Sequence, residues 1–400
     1  MRLARVGFFD FIAPVVFGAM MLTGCATREG ESGASAVVRL GVDANIGAAR
    51  AVVVGDVPLV HTAQLLPIDE HGVIVGQGNP TRQIQQVLAN LEPVLRGAGS
   101  GMEEIVKINV VVCQEEIAAT VREYLARRFN KLNQPAVSFV VGNLTHPDAL
   151  VAMDAVAMAR AKAGIVKSAA ARILPPGGRY YVSGQAKNGP LAEVARDTLM
   201  SLEATLAYSG LGKSNVVQLK AFMQPISESG IVQAEIAKFF GTESPPPTVF
   251  VEWHSPSNTP IEIELIAADP RPASQTGDSV EFLTPPGLTV SKVFSRVAHV
   301  NHGRMIYLSG LESAGRSDAA GQLEDIFKTL GSTLKESGGD FEHLVKATYY
   351  VTDDDASAKL NDIRPRFFNP QRPPAASKAV VTGMGAPGRT VSIDMIAVTK

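Results

Sequence analysis

Met153-Asp154-Ala155-Val156-Ala157 is an apolar stretch that holds a single acid, and this pattern returns twice along the chain. It recurs as Ile263-Glu264-Leu265-Ile266-Ala267 and then as Ile393-Asp394-Met395-Ile396-Ala397. The successive copies lie about 110 and about 130 residues apart, which is the size of a domain rather than of a solenoid repeat. The stretch therefore predicts three similar domains on one chain.

Further landmarks precede each copy in the same order. The first landmark is the end of a hairpin, at Thr62-Ala63-Gln64, Ser183-Gly184-Gln185 and Leu308-Ser309-Gly310. The second is the start of an apolar strand, at Ile105-Val106-Lys107, Val216-Val217-Gln218 and Leu344-Val345-Lys346. The third is a proline-rich turn, at Pro135-Ala136, Pro246-Pro247 and Pro374-Ala375. The landmarks predict domains at residues 37–160, 161–270 and 293–400, with a Pro-rich linker at 271–292. We expect the three domains to pack as an intramolecular trimer in a monomeric chain.

Amphipathic helices separate the predicted strands. In the first helix of each copy, apolar residues recur three or four positions apart, as in Ile84, Val87 and Leu91. A turn that contains glycine follows each of these helices, which suits a left-handed C-cap. Residues 52–61 predict a hairpin around Gly55-Asp56. The predicted fold class is α+β, with the order β-β-α-β-α-β in each domain and two helices on one face of a sheet.

Composition excludes several classes of function. The chain has 400 residues, 46% hydrophobic residues and a formal net charge of −2, so it can form globular cores but has no basic stripe for nucleic acid. No glycine loop suited to phosphate is present, and we expect no cofactor. His299 and His302 bracket a predicted turn without an acid or a cysteine in register, so we expect no metal site.

The first residues have the pattern of an export signal. Arg2 and Arg5 precede a short apolar run that ends in Leu22-Thr23-Gly24-Cys25, which resembles the lipobox of bacterial lipoproteins. The resemblance implies a signal peptide at residues 1–24, lipid attachment at Cys25 and a polar tether at 25–36. Ala26 favours the outer membrane, on its periplasmic side, over the inner membrane. The alternative is an uncleaved anchor or a wrongly assigned start.

The landmarks from about Val37 to Lys400 resemble one known family. Residues 51–56 with 62–64 are similar to its opening hairpin, and residues 86–91, Ala98-Gly99 and Val106-Lys107 to its clearest signature. Residues 361–363 with Phe367-Phe368 are similar to its second-helix motif. The chain thus resembles the reactive-intermediate deaminase family (RidA, also called YjgF or L-PSP endoribonuclease). The resemblance implies a chorismate-mutase-like fold and homotrimers with ligand clefts between subunits.

The resemblance also implies a site. Active members hydrolyse enamines and imines such as 2-aminoacrylate. An arginine after the Pro-Ala pair clamps the substrate carboxylate, and a carboxylate on the last strand orients water. The arginine positions hold Val137, Thr248 and Ala376, so the clamp is missing from all three copies. The recurring acids of the last strand are either such cleft carboxylates or polar groups paired at a domain interface.

Two interpretations of function remain open. In the first, the protein binds a small molecule or acts as a scaffold through degenerate clefts, with ligand contacts from Asp154, Ser183, Glu264 and Phe294. In the second, it is a divergent enamine or imine deaminase. Its catalytic residues would come from the third copy: Ser309, Asn361, Lys378 and Asp394. Lys378 lies two residues past Ala376 on the same face of a strand and would replace the clamp, unless it is a solvated rim lysine.

Overall fold

The protein, here a computed structural model, is described at residues 37–160, 167–255, 257, 259–272, 276–315 and 318–400. The predicted signal peptide, the tether and Cys25 lie outside the described residues. Within the described ranges, no helix is long and apolar enough to cross a membrane.

Strands and helices alternate in the order that the repeats predict, with extra strands. The strands are β1 Val37–Asp43, β2 Ala48–Val54, β3 Leu59–Thr62, β4 Ile105–Val112, β5 Ala136–Val141, β6 Val151–Met158, β7 Ala171–Leu174, β8 Arg179–Ala186, β9 Val216–Met223, β10 Thr248–Glu252, β11 Ile261–Ala268, β12 Val280–Leu283, β13 Val297–Val300, β14 Met305–Leu308, β15 Leu344–Val351, β16 Ala375–Val380, β17 Gly383–Met384 and β18 Val391–Val398. The helices are α1 Pro80–Gly97, α2 Glu115–Arg128, α3 Leu191–Tyr208, α4 Ser229–Phe240, α5 Ala319–Glu336 and α6 Asp354–Ile363.

These strands form three six-stranded sheets in the described part of the chain. Sheet I has the order β17-β5-β4-β6-β3-β7, and sheet II the order β10-β9-β11-β8-β13-β12. Sheet III has the order β1-β2-β14-β18-β15-β16. The protein is therefore a mixed α+β structure.

The helices form where the apolar spacing predicts them. In α1, Ile84, Val87 and Leu91 are buried in a cluster with residues of β4 and β6. The side chain of Asn79 caps this helix by accepting a hydrogen bond from the Arg82 amide at 3.0 Å, ahead of Pro80 at the first turn. Helices α3 and α4 pack in the same way on sheet II, and α5 and α6 on sheet III.

The first strand of each repeat joins the sheet of another repeat. Strand β2 pairs with β14 in sheet III, whereas β3, which follows it, pairs with β6 in sheet I. Strands β7 and β8 divide between sheets I and II, and β13 and β14 between sheets II and III. The hairpin predicted at residues 52–61 is thus a crossing between two sheets. The exchange is favourable because it covers sheet edges that would otherwise be open.

Several strands are additional to the sequence prediction. After each second helix an extra strand (β5, β10 or β16) runs parallel to the strand between the helices, so each repeat has at least one strand more than β-β-α-β-α-β. Strand β12 lies inside the predicted linker at 271–292 and pairs with β13. The predicted domain boundaries stay a prediction, since strand pairing crosses them.

The sheet faces that turn away from the helices pack against one another. Their shared apolar cluster contains no helix residue and draws on all three sheets, as Val106, Tyr181 and Tyr307 show. Each of these three residues is at most 3% exposed. The interfaces between sheets are therefore as dry as the cores under the helices, and polar groups there need partners.

Candidate functional site

Six charged side chains meet where the three sheets face one another. This central charge cluster consists of Lys107, Lys220, Lys346, Asp154, Glu264 and Asp394. Lys107 Nζ lies 2.7 Å from Asp394 Oδ1, and Lys346 Nζ lies 2.5 Å from Glu264 Oε1. Both pairs join different sheets, because Lys107 is on β4 and Asp394 on β18, while Lys346 is on β15 and Glu264 on β11.

Strand register explains why the acids meet. Asp154, Glu264 and Asp394 occupy equivalent places, opposite Asn109, Lys220 and Thr348 on the strand between the helices. The second repeat differs from the other two, because Gln218 takes the position of Lys107 and Lys346, and its lysine comes two residues later. Lys220 Nζ donates to the Tyr350 hydroxyl at 2.9 Å.

The cluster shifts the pKa values of its members in opposite directions. Burial raises the pKa of Asp394, but Lys107 and Lys220 outweigh it and hold that pKa below its ordinary value. Burial raises the pKa of Asp154 to about 6, although Lys220 opposes this rise. Burial disfavours the charge of Lys220, but Tyr350, Glu264 and the neighbouring aspartates raise its pKa. The charges are therefore balanced within the cluster.

The space between these groups is a cavity of about 50 Å³. One water needs roughly 10–15 Å³ of such volume, so the cavity has room for a few waters and not for a substrate. Of the two alternatives for the recurring acids, the structure shows pairing across the interface for Glu264 and Asp394, while Asp154 accepts a hydrogen bond from Asn109 of its own sheet at 2.8 Å. The central cavity is therefore too small to be a substrate site.

Three equivalent junctions, here called clefts, form where a β-strand of one repeat meets the extra strand of another. In the Ser309 cleft, Ser309 Oγ accepts a hydrogen bond from the Val137 amide at 2.7 Å and donates to the Ala49 carbonyl. In the Ser183 cleft, Ser183 Oγ accepts from the Ala376 amide at 2.8 Å. Both serine hydroxyls join backbones across the interface.

The third cleft is the Ala63 cleft. The Ala63 amide donates to the Ala170 carbonyl, just as the Ser183 amide donates to the Arg296 carbonyl. The next amide, of Gln64, lies 3.2 Å from the Thr248 carbonyl oxygen. Ala63 therefore takes the place of the two serines, one residue later than the sequence landmarks suggest. This cleft has lost the hydroxyl.

A partly buried carboxylate that the sequence does not single out, Glu262, lies in the Ser183 cleft. Glu262 packs so closely on Gly184 that a Cβ at that glycine would come within 1.9 Å of Glu262 Oε1. Burial raises the pKa of Glu262 to about 7, although the attraction of Lys346 and Lys378 opposes this rise. The equivalent positions, two residues before the recurring acid, hold Ala152 and Ser392. The Ser183 cleft is thus the one of the three with a carboxylate at this position.

The structure divides the predicted site residues among several places. Lys378 follows Ala376 on β16 and donates to Ser357 Oγ at 2.8 Å, and Asn361 accepts from Arg364 at 3.0 Å. Phe294 lies under the Arg296 guanidinium, with 4.8 Å from its Cζ to the ring centre. Of these residues, Lys378 and Arg296 interact electrostatically with Glu262 in the Ser183 cleft.

Ser309 and Asp394 do not join them. Ser309 lies at its own cleft, and Asp394 lies in the central charge cluster with Asp154 and Glu264. The four predicted catalytic residues therefore do not form one constellation, because the strand that carries Asp394 directs it to the sheet interface. Lys378 and Asp394 line no common cavity in the described structure. Their roles in binding or catalysis stay predictions.

Side chains close the Ser309 cleft. The Arg122 guanidinium lies 4.3 Å from the centre of the Phe139 ring and donates to the Gly385 carbonyl at 2.6 Å. Glu312 accepts from the Gly385 amide on the same loop. Burial raises the pKa of Glu312, although Arg122 opposes the rise.

The Ala63 cleft contains an open cavity of about 290 Å³. Thr248 stands at the position of the expected arginine, and Gln64 donates to the Phe250 carbonyl at 3.0 Å. The lining residues carry no charge: Ala63, Gln64, Leu66, Thr145, Ala169, Gln233, Ile236, Pro245, Pro246, Thr248 and Phe250. A neutral cavity of this kind suits a ligand with apolar and amide or hydroxyl groups.

Comparison with known proteins places the chain among relatives of domain size. The profile of the family described as "Endoribonuclease L-PSP" matches residues 49–159 and 288–399. Protein DfrA of Myxococcus xanthus is 34% identical over 113 residues, which cover 26% of this chain and 85% of that protein. RutC family protein UK114 of Drosophila melanogaster is 33% identical over 99 residues, covering 25% of this chain and 71% of the relative.

Solved structures also match single repeats. The Rid family protein YyfB of Yersinia pestis is 25% identical, with a TM-score of 0.29, and the match covers 31% of this chain and 98% of that protein. Rv2704 of Mycobacterium tuberculosis, of the YjgF/YER057c/UK114 family, is 23% identical, with a TM-score of 0.23 and coverage of 30% and 100%.

We predict that Asp394→Asn destabilises the protein by about 3–5 kcal/mol, because it leaves Lys107 buried without a counter-charge. The control is Glu324→Gln, which removes the half-exposed pair with Arg366 and is expected to cost about 0–1 kcal/mol. Urea unfolding of both variants measures the difference. Since the pKa of Asp394 is lowered, its stabilisation is present above its ordinary value of 3.8 and lost below it. Equal costs for the two variants would contradict a stabilising role of the cluster.

Proposed function

Because the chain belongs to the Endoribonuclease L-PSP family, we propose that it is a small-molecule-binding member whose three clefts have diverged unequally. One observation carries the proposal: the Ala63 cleft keeps a cavity of about 290 Å³ but has no charged residue in its lining. A ligand carboxylate would be desolvated there without a partner, which is costly. The ligand of this cleft is therefore an uncharged molecule.

The chemical groups that line this cavity support a ligand with an amide or a hydroxyl group. Ile236, Pro246 and Phe250 supply apolar walls. Gln64, Gln233 and Thr248 supply neutral hydrogen-bonding groups on the same cavity. A few polar groups in an apolar pocket fix the orientation of a small ligand.

A second candidate function is hydrolysis of an enamine or imine in the Ser183 cleft. The specific observation is Glu262, whose pKa of about 7 suits a group that takes a proton from water near neutral pH. Lys378 and Arg296 both interact electrostatically with this carboxylate. They are cations in the cleft where Ala376 replaces the expected arginine, and they would attract a substrate carboxylate.

We also propose that the three repeats form the single-chain counterpart of the family's trimer. The cyclic exchange of β2, β7 and β13 between sheets supports this proposal. Such fusion permits one cleft to bind a ligand, another to catalyse a reaction and a third to be filled by side chains.

We further propose that Cys25 carries a lipid that anchors the protein in the cell envelope, on the basis of the lipobox-like stretch at residues 22–25.

The binding proposal predicts a preference for a neutral ligand that one substitution reverses. We expect calorimetry to show saturable binding of butyramide and at least tenfold weaker binding of butyrate. Thr248→Arg restores a cation at the cleft and should reverse this order. Thr120→Arg, on α2 outside the cleft, should behave like the wild type. Failure of butyramide to bind, or an unchanged preference in Thr248→Arg, would refute the proposal.

The hydrolase candidate predicts faster release of ammonia from freshly generated 2-aminoacrylate. We expect Glu262→Gln to lower this rate by about 100-fold or more, because proton transfer is lost. Lys378→Ala should raise KM, and the exposed Glu123→Gln should change neither parameter. The carboxylate form accepts the proton, so the rate should rise as pH increases through about 7. A rate equal to the uncatalysed background excludes this candidate and leaves ligand binding in place.

The anchor predicts that labelled palmitate enters the protein in bacterial cells and that the protein sediments with membranes. Cys25→Ser should abolish both, because each buried methylene of the acyl chains contributes about 0.8 kcal/mol to membrane binding. Cys113→Ser is the matched control, since this cysteine is part of the globular fold. Membrane association that survives Cys25→Ser would contradict lipidation.

A further inference from the structure

A groove of about 590 Å³ lies at the edge of sheet II, separate from the three clefts. Its floor is a row of side chains across three strands, because Glu281 on β12 pairs with His299 on β13, and His299 pairs with Tyr180 on β8. The C-terminal end of α3 forms one wall, and the segment after β11 forms the other. No function discussed above uses this groove.

Two neighbours fix the imidazole of His299. The Tyr180 ring stacks on it with 4.0 Å between centroids and 5° between planes. His299 Nε2 lies 3.0 Å from Asp269 Oδ2. Hydrogen bonds from Arg271 outweigh the effect of burial and lower the pKa of Asp269, so this carboxylate is ionised and accepts. Nε2 of His299 therefore carries the proton, and Nδ1 presents a lone pair.

That lone pair faces a second acceptor. His299 Nδ1 is 3.7 Å from Glu281 Oε2, and Glu281 is 55% exposed in its side chain. This distance is too long for a hydrogen bond between the two atoms. A nitrogen with several N–H donors fits between them, about 2.8–2.9 Å from each.

The walls favour a positive charge as well. Tyr208, Ser209 and Gly210 lie at the C-terminus of α3, where the helix dipole is negative. Ser209 Oγ is buried and has no hydrogen-bond partner among the described residues. The cation of Arg271 is neutralised by Asp269, which it contacts at 2.7 and 2.8 Å. The groove thus offers acceptors without a free cation to match them.

We propose that this groove binds a primary organic ammonium, with its head group between His299 Nδ1 and Glu281 and its organic part along the half-exposed ring of Tyr208. In the described ranges no group of three or more His, Cys, Asp and Glu side chains is arranged to hold a metal ion, which favours an organic cation. The partly exposed tyrosine ring suits contact with a cation or an apolar chain.

Calorimetry with tyramine tests the proposal on the full chain, with 4-ethylphenol as the matched probe that lacks the amine. We expect saturable binding of tyramine and at least tenfold weaker binding of 4-ethylphenol. Glu281→Gln should weaken tyramine binding at least tenfold, because it removes the exposed counter-charge. His299→Phe keeps the stacked ring but removes the lone pair and should have a similar effect. Glu123→Gln on α2 should bind tyramine as the wild type does.

Three outcomes would overturn the proposal: no saturable binding of tyramine, equal binding of both probes, or unchanged binding by Glu281→Gln. Zn²⁺ alone is titrated in parallel. Binding of zinc that both Glu281→Gln and His299→Phe abolish, without binding of tyramine, would identify a metal site instead. The Glu281 variant keeps the test valid if His299→Phe does not fold, because Glu281 is largely solvent-exposed.

Discussion

Buried charge at the junction of the three sheets is the constraint on which the rest of the structure depends. Lys107 of sheet I pairs with Asp394 of sheet III, and Lys346 of sheet III pairs with Glu264 of sheet II. Lys220 of sheet II completes the set through its attraction to the remaining acid, Asp154 of sheet I. A buried ion pair adds little net stability over an apolar contact, but an unpaired buried charge is costly. A displaced sheet would leave such a charge, so the cluster disfavours other arrangements.

Strand exchange joins the same three sheets through backbone hydrogen bonds. Because each repeat gives its first strand to a neighbouring sheet, the segments from 48–54, 171–174 and 297–300 tie the sheets in a ring. The serine hydroxyls at Ser183 and Ser309 add backbone contacts across two of the three junctions. These two hydroxyls therefore help to hold the sheets together.

The proposed single-chain trimer would allow equivalent positions to differ. In a trimer of identical subunits every cleft has the same residues, whereas here the same place holds Ala152, Glu262 or Ser392. One cleft has the partly buried carboxylate of Glu262, another has an uncharged cavity, and the third is covered by Arg122 and its partners. The chain can keep the common framework while each cleft changes separately.

Much of the fold was predictable because it depends on local pattern. The spacing of Ile84, Val87 and Leu91 predicted the buried face of α1, and the order of landmarks predicted the family. The acids of the last strand were recognised as buried polar groups, with pairing at an interface as one alternative. These features repeat within a short window, so they can be read without knowledge of distant contacts.

The tertiary structure alone decided partners and sites. Alternation along a strand shows which residues share a face, but not which strand lies opposite. The sequence therefore predicts one hairpin for β2 and β3, a cleft position for Asp394 rather than Glu262, and no acid beside His299. In the structure those contacts join residues far apart in the chain, as Lys107 and Asp394 are. Sequence by itself determined the repeating framework, and long-range strand pairing determined where the charges meet, because only pairing fixes register between distant segments.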